Sequence, residues 1–460
     1  MSRPGKGPRR SLWSGPARRL VPALIALLLT GVTACATAGD PAAVRGEVSG
    51  GIEPREITWL NSRPADGPVI QAVRQVADAY AEEHPGFRLN IVSTPDRPAY
   101  LQKVMTLAAA RELPELFDTD PTPFAAKLRD QDRLVDIGNL LDEFGTTDDF
   151  RPLALDYQRF DDGGLYTLPL EFAMEYFWYN EDAFAEAGIS PPRTLDEFTD
   201  SCPALREAGY VPIALDGRDG WPLERYLSYY PFRLTGNDFA GRLKSGDAAM
   251  SDPAGRAAAE FIAGLGDAGC FAEGFSSAGY TDAMDLFGSG RAAMLNIGTW
   301  ELGNLATDAV PDALRDNLDY FALPTADAPG ATGPDDYVVS SGIGMAVNAD
   351  TLDPLVKDFV RYLLEHYPAV YASLGQLSPT EGVETPVPEN ATPLYEQVLA
   401  EADRLGDQTA KPWDTMLDPS TNTVVQQNLT LLAQGDMSPE AFQESVDDAI
   451  RTNAPRYFPE

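Results

Sequence analysis

Residues 57–92, ITWLNSRPADGPVIQAVRQVADAYAEEHPGFRLNIV, decide the fold class. Ile57-Thr58-Trp59-Leu60 has the apolar density of a buried strand, and the polar run from Asn61 to Gly67 turns the chain. Val69, Ile70, Val73, Val76, Ala77 and Tyr80 then recur at helical spacing until Pro85-Gly86 stops the helix. Phe87, Leu89 and Ile91 alternate as a second strand. A further helix holds Tyr100, Val104, Leu107 and Ala108, and Leu116-Phe117 is the next short strand. Strands alternating with helices predict an α/β fold built on a mostly parallel sheet with helices on both faces. Ligands of such sheets bind beyond the carboxyl ends of the strands. That rule points to Asn61, Ser62 and Arg63 after the first strand, and to Asp118, Thr119 and Asp120 after a later one. Each of these is equally the kind of residue that fills a solvated turn.

The 460 residues suggest two or three domains, and 44% hydrophobic composition is enough for a sizeable core. Asp and Glu number 70 against 35 Lys and Arg, a net charge of −35. So acidic a chain is a poor partner for nucleic acid or for an anionic membrane surface. Two histidines, His84 and His366, argue against a multi-histidine metal site, and three cysteines against a disulfide-dense scaffold. No cofactor is expected.

The charge is unevenly spread. Residues 1–34 carry six bases and no acid; with those six set aside, 29 bases against 70 acids leave −41. The segment reads as a secretory signal: a basic start, an apolar stretch from Leu20 to Leu29, then small residues. That stretch is too short to cross a bilayer, which takes roughly 20 apolar residues. Val32-Thr33-Ala34-Cys35 resembles the bacterial lipobox, whose cysteine is diacylated and becomes the mature N-terminus; ordinary secretion with cleavage nearby is the alternative. Arg9-Arg10 and Arg18-Arg19 raise a twin-arginine route, but their flanks fit poorly. Cys35 would anchor the chain on the outer face of the cytoplasmic membrane, and residues 35–54, rich in Ala, Gly and Pro, read as a flexible tether.

Beyond residue 160 the α/β theme repeats, with helices expected at 194–209, 253–268 and 280–290. Five stretches stand out in order: Gly164-Leu165-Tyr166-Thr167-Leu168-Pro169; Trp178-Tyr179-Asn180; Pro192-Arg193-Thr194-Leu195-Asp196-Glu197-Phe198; Phe287-Gly288-Ser289-Gly290-Arg291-Ala292-Ala293-Met294 with Gly298-Thr299-Trp300; and Gly435-Asp436-Met437-Ser438-Pro439-Glu440-Ala441-Phe442. Together, over roughly 57–455, they resemble the family 1 extracellular solute-binding proteins of bacterial ABC importers.

The resemblance implies a two-lobed fold of the periplasmic-binding-protein kind (type II), with hinge strands joining the lobes around a ligand cleft. One lobe would comprise 55–168 and 342–388, the other 169–341 and 389–460. The chain would cross near Pro169–Ala173, return near Tyr337–Gly342 and cross again near 385–392, where Pro386 and Pro388 suit a non-helical passage. It further implies a monomer that captures a carbohydrate, delivers it to permease subunits and performs no chemistry.

A sugar presents apolar C–H faces and a rim of hydroxyls, so its site needs aromatic plates and fixed polar groups. Trp221, Trp300 and Trp413 sit in loop-like contexts; Trp300, after Gly298-Thr299, matches the family position that stacks on a sugar ring. Packing between lobes is the alternative for each. Trp59 and Trp178 lie in apolar runs and read as core, and Glu171 and Phe172, after the hinge proline, could face the cleft. Ala173 and Asn422 stand near positions where maltose-binding relatives carry cleft residues, which argues against a maltodextrin ligand.

Cys202 and Cys270 fall in the same expected lobe; outside the cytoplasm such a pair forms a disulfide, the alternative being two buried thiols. A secreted glycoside-acting enzyme is the competing class, needing two carboxylates about 5–9.5 Å apart. Gly288-Ser289-Gly290 lacks the Gly-Lys-Ser/Thr of a phosphate loop, and neither a nucleophile elbow nor metal-ligand spacing appears. A sugar sensor that docks on a membrane receptor would read the same way.

Overall fold

The computed structural model describes residues 41–457 apart from 328, 337, 403 and 407. The signal segment and Cys35 lie outside the described residues, as does Tyr337 of the expected return hinge.

The alternation around Trp59 forms β1 (Glu56–Asn61), which pairs in parallel with β2 (Arg88–Ser93) and β3 (Leu116–Thr119). The helix Pro68–Glu83 makes the first crossover; it starts on a proline, whose missing N–H costs nothing there. Its buried stripe of Val69, Ile70, Val73, Val76 and Tyr80 packs with Trp59 and Phe359. Each such side chain contributes about 1.5–3 kcal/mol on full burial. The helix Arg97–Ala110 makes the second crossover, capped by Asp96, whose side chain accepts from Ala99 N at 2.8 Å.

The chain then enters a second sheet. It contains β4 (Ala173–Asn180), β5 (Val211–Ala214), β6 (Ala292–Gly298) and β7 (Leu318–Phe321), in the order β5-β6-β4-β7, with β8 (Val339–Ser340) paired to β4. β9 (Gly344–Val347) returns to the first sheet beside β3, giving the order β2-β1-β3-β9. The result is two lobes with separate cores, the second built around Phe177, Trp178, Phe198 and Tyr226. Trp178 donates its indole N–H to Ile297 O at 3.1 Å, which confirms it as core.

The expectation of a mostly parallel sheet needs correction. Only β1–β2, β1–β3 and β5–β6 are parallel; β4 with β6, β7 and β8, and β3 with β9, are antiparallel. Parallel pairing demands a helical crossover within one lobe, whereas β4 and β9 arrive from the other lobe and escape that constraint. The two connecting segments run antiparallel, bracketed by the pairs Leu168–Met345 and Ala173–Ser340. Between them Gly342 has φ +65°, and a Cβ there would lie 2.6 Å from the Glu171 carboxyl carbon. Only glycine meets both conditions.

The segment read as a tether is docked on the body from Pro41 onward. Pro41–Val44 is a short helix with Ala43 buried, Val44 O accepts from Asp136 N at 2.7 Å, and Gly46 O accepts from Lys357 Nζ at 2.8 Å. Composition hid the buried Ala43 and the half-buried Val44, which pack on the core without any periodic run.

Cys202, on the helix Leu195–Glu207, is bonded to Cys270, which follows the helix Pro253–Asp267. Closing a loop of 68 residues constrains the unfolded chain by about 4 kcal/mol in the entropy account.

Candidate functional site

A cavity of about 250 Å³ lies between the lobes. Ser62, Tyr100, Asp120 and Phe124 line it from the first lobe, Ile343 from the hinge, and Asp219, Trp221, Asp414, Asn422 and Gln426 from the second. Local structure aims these groups. The Asp96 cap starts a helix on Arg97 and so holds that side chain at the cavity wall. Asp418 accepts from Ser420 N and Thr421 N at 3.0 Å and starts the helix Pro419–Gln434, whose first turns present Asn422 and Gln426. Gly220, with φ +80°, precedes the helix that begins at Trp221, and that left-handed backbone conformation favours glycine.

One ionic chain runs across the cleft. Arg97 Nη2 donates to Asp120 Oδ2 at 2.5 Å and lies 3.7 Å from Asp414 Oδ2 on the other lobe. Asp414 also accepts from Arg225 Nη1 at 2.9 Å, and Arg225 pairs with Glu175 at 3.1 Å. Burial pulls the Arg97 guanidinium down, but Asp120 and Asp414 outweigh it and leave it raised. Burial pushes the Asp120 carboxyl up against the pull of Arg97, and pushes Glu224 well up, with the Asp414 charge adding to it.

The ten candidate residues divide three ways. Ser62, Asp120 and Trp221 line the cavity. Asn61, Arg63, Asp118 and Glu171 form a polar clamp behind it. Arg63 Nε donates to Asp118 Oδ2 at 3.1 Å, and its guanidinium also pairs with Glu171 and donates to Ile343 O. Asp118 accepts in addition from Trp59 Nε1 at 2.8 Å, and burial raises its pKa to about 6. Asn61 Oδ1 accepts from Arg63 N at 3.1 Å and from Ser93 Oγ at 3.0 Å. Strand ends supply Asn61, Arg63 and Asp118, the connecting segment supplies Glu171, and the Arg63 side chain ties Asp118 to that segment.

Phe172, Trp300 and Trp413 do not line the cavity. Phe172 is buried beneath the Arg151 guanidinium, 5.0 Å from its ring centroid. Trp413 is 2% exposed against Phe239. Trp300 folds back over Gly298 and donates its indole N–H to Tyr280 Oη at 2.9 Å, which turns it into its own lobe. Arg97, Asp219 and Asp414 also line the cavity and were not among the sequence candidates. The Asp-x-Pro start at Asp96 and the Asp418-Pro419 start signalled two of these helix entries; nothing local signalled that Arg97 and Asp414 meet.

Beside Trp221 a smaller cavity of about 20 Å³ is lined by Asp216 and Tyr226, and Asp216 Oδ2 and Tyr226 Oη have no hydrogen-bond partner. Burial raises the Asp216 pKa from 3.8 to about 6, against the backbone N–H of Asp219. A carboxyl raised in the folded state adds stability in full below its unfolded pKa and loses it as pH climbs through the folded one. Asp216→Asn is therefore expected to flatten the fall in thermal midpoint between about pH 4 and 6 and to exceed the parent protein at pH 7. Identical slopes for the two proteins would refute this.

Among the described residues no group of three His, Cys, Asp or Glu side chains could hold a metal ion, and no helix is long and apolar enough to cross a membrane.

Two lobes joined by paired segments leave between them a cleft of a size that suits a small solute. A family model for bacterial extracellular solute-binding proteins matches residues 66–366, and the chain belongs to that family. It is 24% identical over 253 residues to an uncharacterised ABC transporter extracellular-binding protein of Pyrococcus horikoshii, covering 52% of this chain and 56% of that protein. It is 25% identical over 211 residues to a multiple sugar-binding protein of Streptococcus mutans, covering 43% and 47%. The chain thus spans about half the length of the curated relatives it matches. Among solved structures, a chitin oligosaccharide binding protein superposes with a TM-score of 0.76 at 24% identity, over 87% of this chain and 98% of that one. A Bacillus licheniformis sugar transporter protein in complex with stachyose gives 0.64 at 16%, over 85% and 98%. These likenesses show the fold. The family and these neighbours are binding proteins, not enzymes.

Proposed function

We propose that the chain is the lipid-anchored solute receptor of an ABC importer, taking a carbohydrate between its lobes and passing it to the permease. The observation that carries this reading is the make-up of the cleft. The Trp221 indole supplies an aromatic plate in one wall, and the polar residues Ser62 and Asn422, whose buried Oγ and Oδ1 have no hydrogen-bond partner, line the cavity from opposite lobes. A sugar ring fits that pairing of apolar face and polar edge. The names of the relatives point the same way, several being sugar-binding proteins. Arg63, Asp118 and Glu171 act in this reading by holding the hinge segment, not by touching solute. Cys35 would carry the lipid.

Calorimetry against a saccharide panel tests the reading. A member of the panel binds, and Trp221→Ala weakens it about 10- to 100-fold while Trp221→Phe keeps most of the affinity. Equal affinity in Trp221→Ala removes the stacking assignment. Turnover of a glycoside by the pure protein would replace the receptor reading with an enzymatic one.

A further inference from the structure

We propose that Arg225 is a positioning residue of the solute seat, holding the Trp221 indole in the orientation on which a sugar ring stacks. The inference rests on the receptor reading above and goes beyond it by naming what fixes the plate. Trp221 opens the helix Trp221–Thr235, and Arg225 follows one turn later, so the two side chains share a face. The Arg225 guanidinium lies over the indole, its carbon 5.1 Å from the ring centroid. That guanidinium is buried and itself fixed. Its Nε donates to the two Glu175 carboxylate oxygens at 3.2 and 3.1 Å, and its Nη1 donates to Asp414 Oδ1 at 2.9 Å. Burial pulls its pKa down, but Glu175 and Asp414 outweigh that and keep it charged. Glu175 belongs to β4, an interior strand of the second sheet, so Arg225 ties the plate to the most rigid part of its lobe. Arg225 is not among the residues lining the cavity; it acts through Trp221.

Trp221 needs such a holder. Trp59, Trp178 and Trp300 each fix the indole N–H on an acceptor, namely Asp118 Oδ1, Ile297 O and Tyr280 Oη. Among the described residues the Trp221 indole N–H meets no acceptor, so no hydrogen bond sets its ring. Packing does not close it in either, because Trp221 borders the interlobe cavity and also the smaller one beside it. A ring with space on two sides samples several rotamers unless a contact selects one, and ordering it only on binding would cost affinity. The guanidinium supplies that contact in advance. It also covers one face of the indole, which leaves stacking to the other.

The test uses the full chain labelled with fluorotryptophan, the Trp221 line being assigned by its loss in Trp221→Phe. Arg225→Met alone would strand the buried Glu175, so it is combined with Glu175→Gln. Arg225→Lys, which keeps the charge and loses the planar fork, is the conservative variant. In the parent protein Trp221 gives one narrow fluorine line. In the double variant that line broadens or splits while those of Trp59 and Trp178 stay in place, and Arg225→Lys falls between the two. A Trp221 line unchanged in either folded variant overturns the inference. Calorimetry with stachyose, galactose and the β-1,4-linked tetramers of N-acetylglucosamine, glucose and xylose adds the affinity. For the tightest of these the double variant weakens binding about tenfold, but less than about twofold once Trp221 is already alanine. Equal losses in both backgrounds overturn the inference and leave the receptor reading standing. Silence from every saccharide counts against the receptor reading, while the fluorine lines, which need no solute, still decide whether Arg225 holds the ring.

Discussion

Arg97→Leu is expected to destabilise the protein by about 3–5 kcal/mol at pH 7, the range found when one partner of a buried ion pair is removed. Arg97 is the cation that Asp120 and Asp414 share, and the side chains of those acids are 5% and 7% exposed. Leucine fills part of the space and leaves Asp120 without its charge partner, while Asp414 keeps Arg225. The cost therefore falls mainly on Asp120, which burial already holds above its ordinary pKa. Without Arg97 that carboxyl rises further. A raised acid is stable while protonated, so the deficit is largest at neutral pH and narrows as pH falls. Urea unfolding of both proteins at pH 7 and at pH 4.5 measures this. A loss below about 1 kcal/mol that does not change with pH would show that the acids are solvated and the bridge idle. Because the bridge joins the lobes, the variant should also open the cleft, visible as a larger radius of gyration in small-angle scattering.

Arg233→Met is the second large effect. Arg233 is 1% exposed, and among the described residues no carboxylate lies within ion-pair distance of its guanidinium. It donates instead to Pro324 O at 2.9 Å, to Asp336 O at 2.6 Å, to Leu323 O and Gly333 O, and to Thr332 Oγ1 at 3.3 Å. Burial pulls its pKa down to about 10 against the opposing pull of the Asp336 charge. This one side chain thus organises residues 323–336, the connection that leads into β8 and the hinge. Methionine keeps the stem volume and strands several buried carbonyls, each at a cost of about 1–3 kcal/mol where water cannot reach it. The expected sum after relaxation is about 3–5 kcal/mol, with faster amide exchange concentrated in 323–340. Lysine, with three donors, should restore part of the loss. Exchange rates unchanged across that stretch would mean that the segment holds itself.

The β–α–β stretch from Ile57 to Ile91 and the helices that begin at Leu195, Pro253 and Tyr280 were legible because their signals are local. A stripe of apolar side chains at helical spacing, a capping Asp or Thr and a proline at the first turn all act within a dozen residues. The same holds for the strand ends: the rule that ligands sit beyond them found Ser62 and Asp120 at the cleft. It also found Asn61, Arg63 and Asp118, whose side chains turn the other way. The turn at Asn61–Gly67 does not encode that direction; the hinge segment carrying Glu171 and Ile343 does, and it lies more than a hundred residues away.

By itself, then, the sequence determined an acidic chain with a β–α–β start and, through its family resemblance, a two-lobed α/β fold of the solute-binding kind; it left Cys202 and Cys270 as either a disulfide or two buried thiols. Tertiary structure alone decided which tryptophan faces the cleft. Trp300 hydrogen-bonds to Tyr280 and Trp413 packs on Phe239, while Trp221, at the start of its helix, lines the cavity. It alone brought Arg97 to Asp414 across 317 positions of chain. The physical reason is range. Periodicity and capping are set by neighbours one or two turns away, but an ion pair across a cleft exists only once two independently packed cores have been placed face to face.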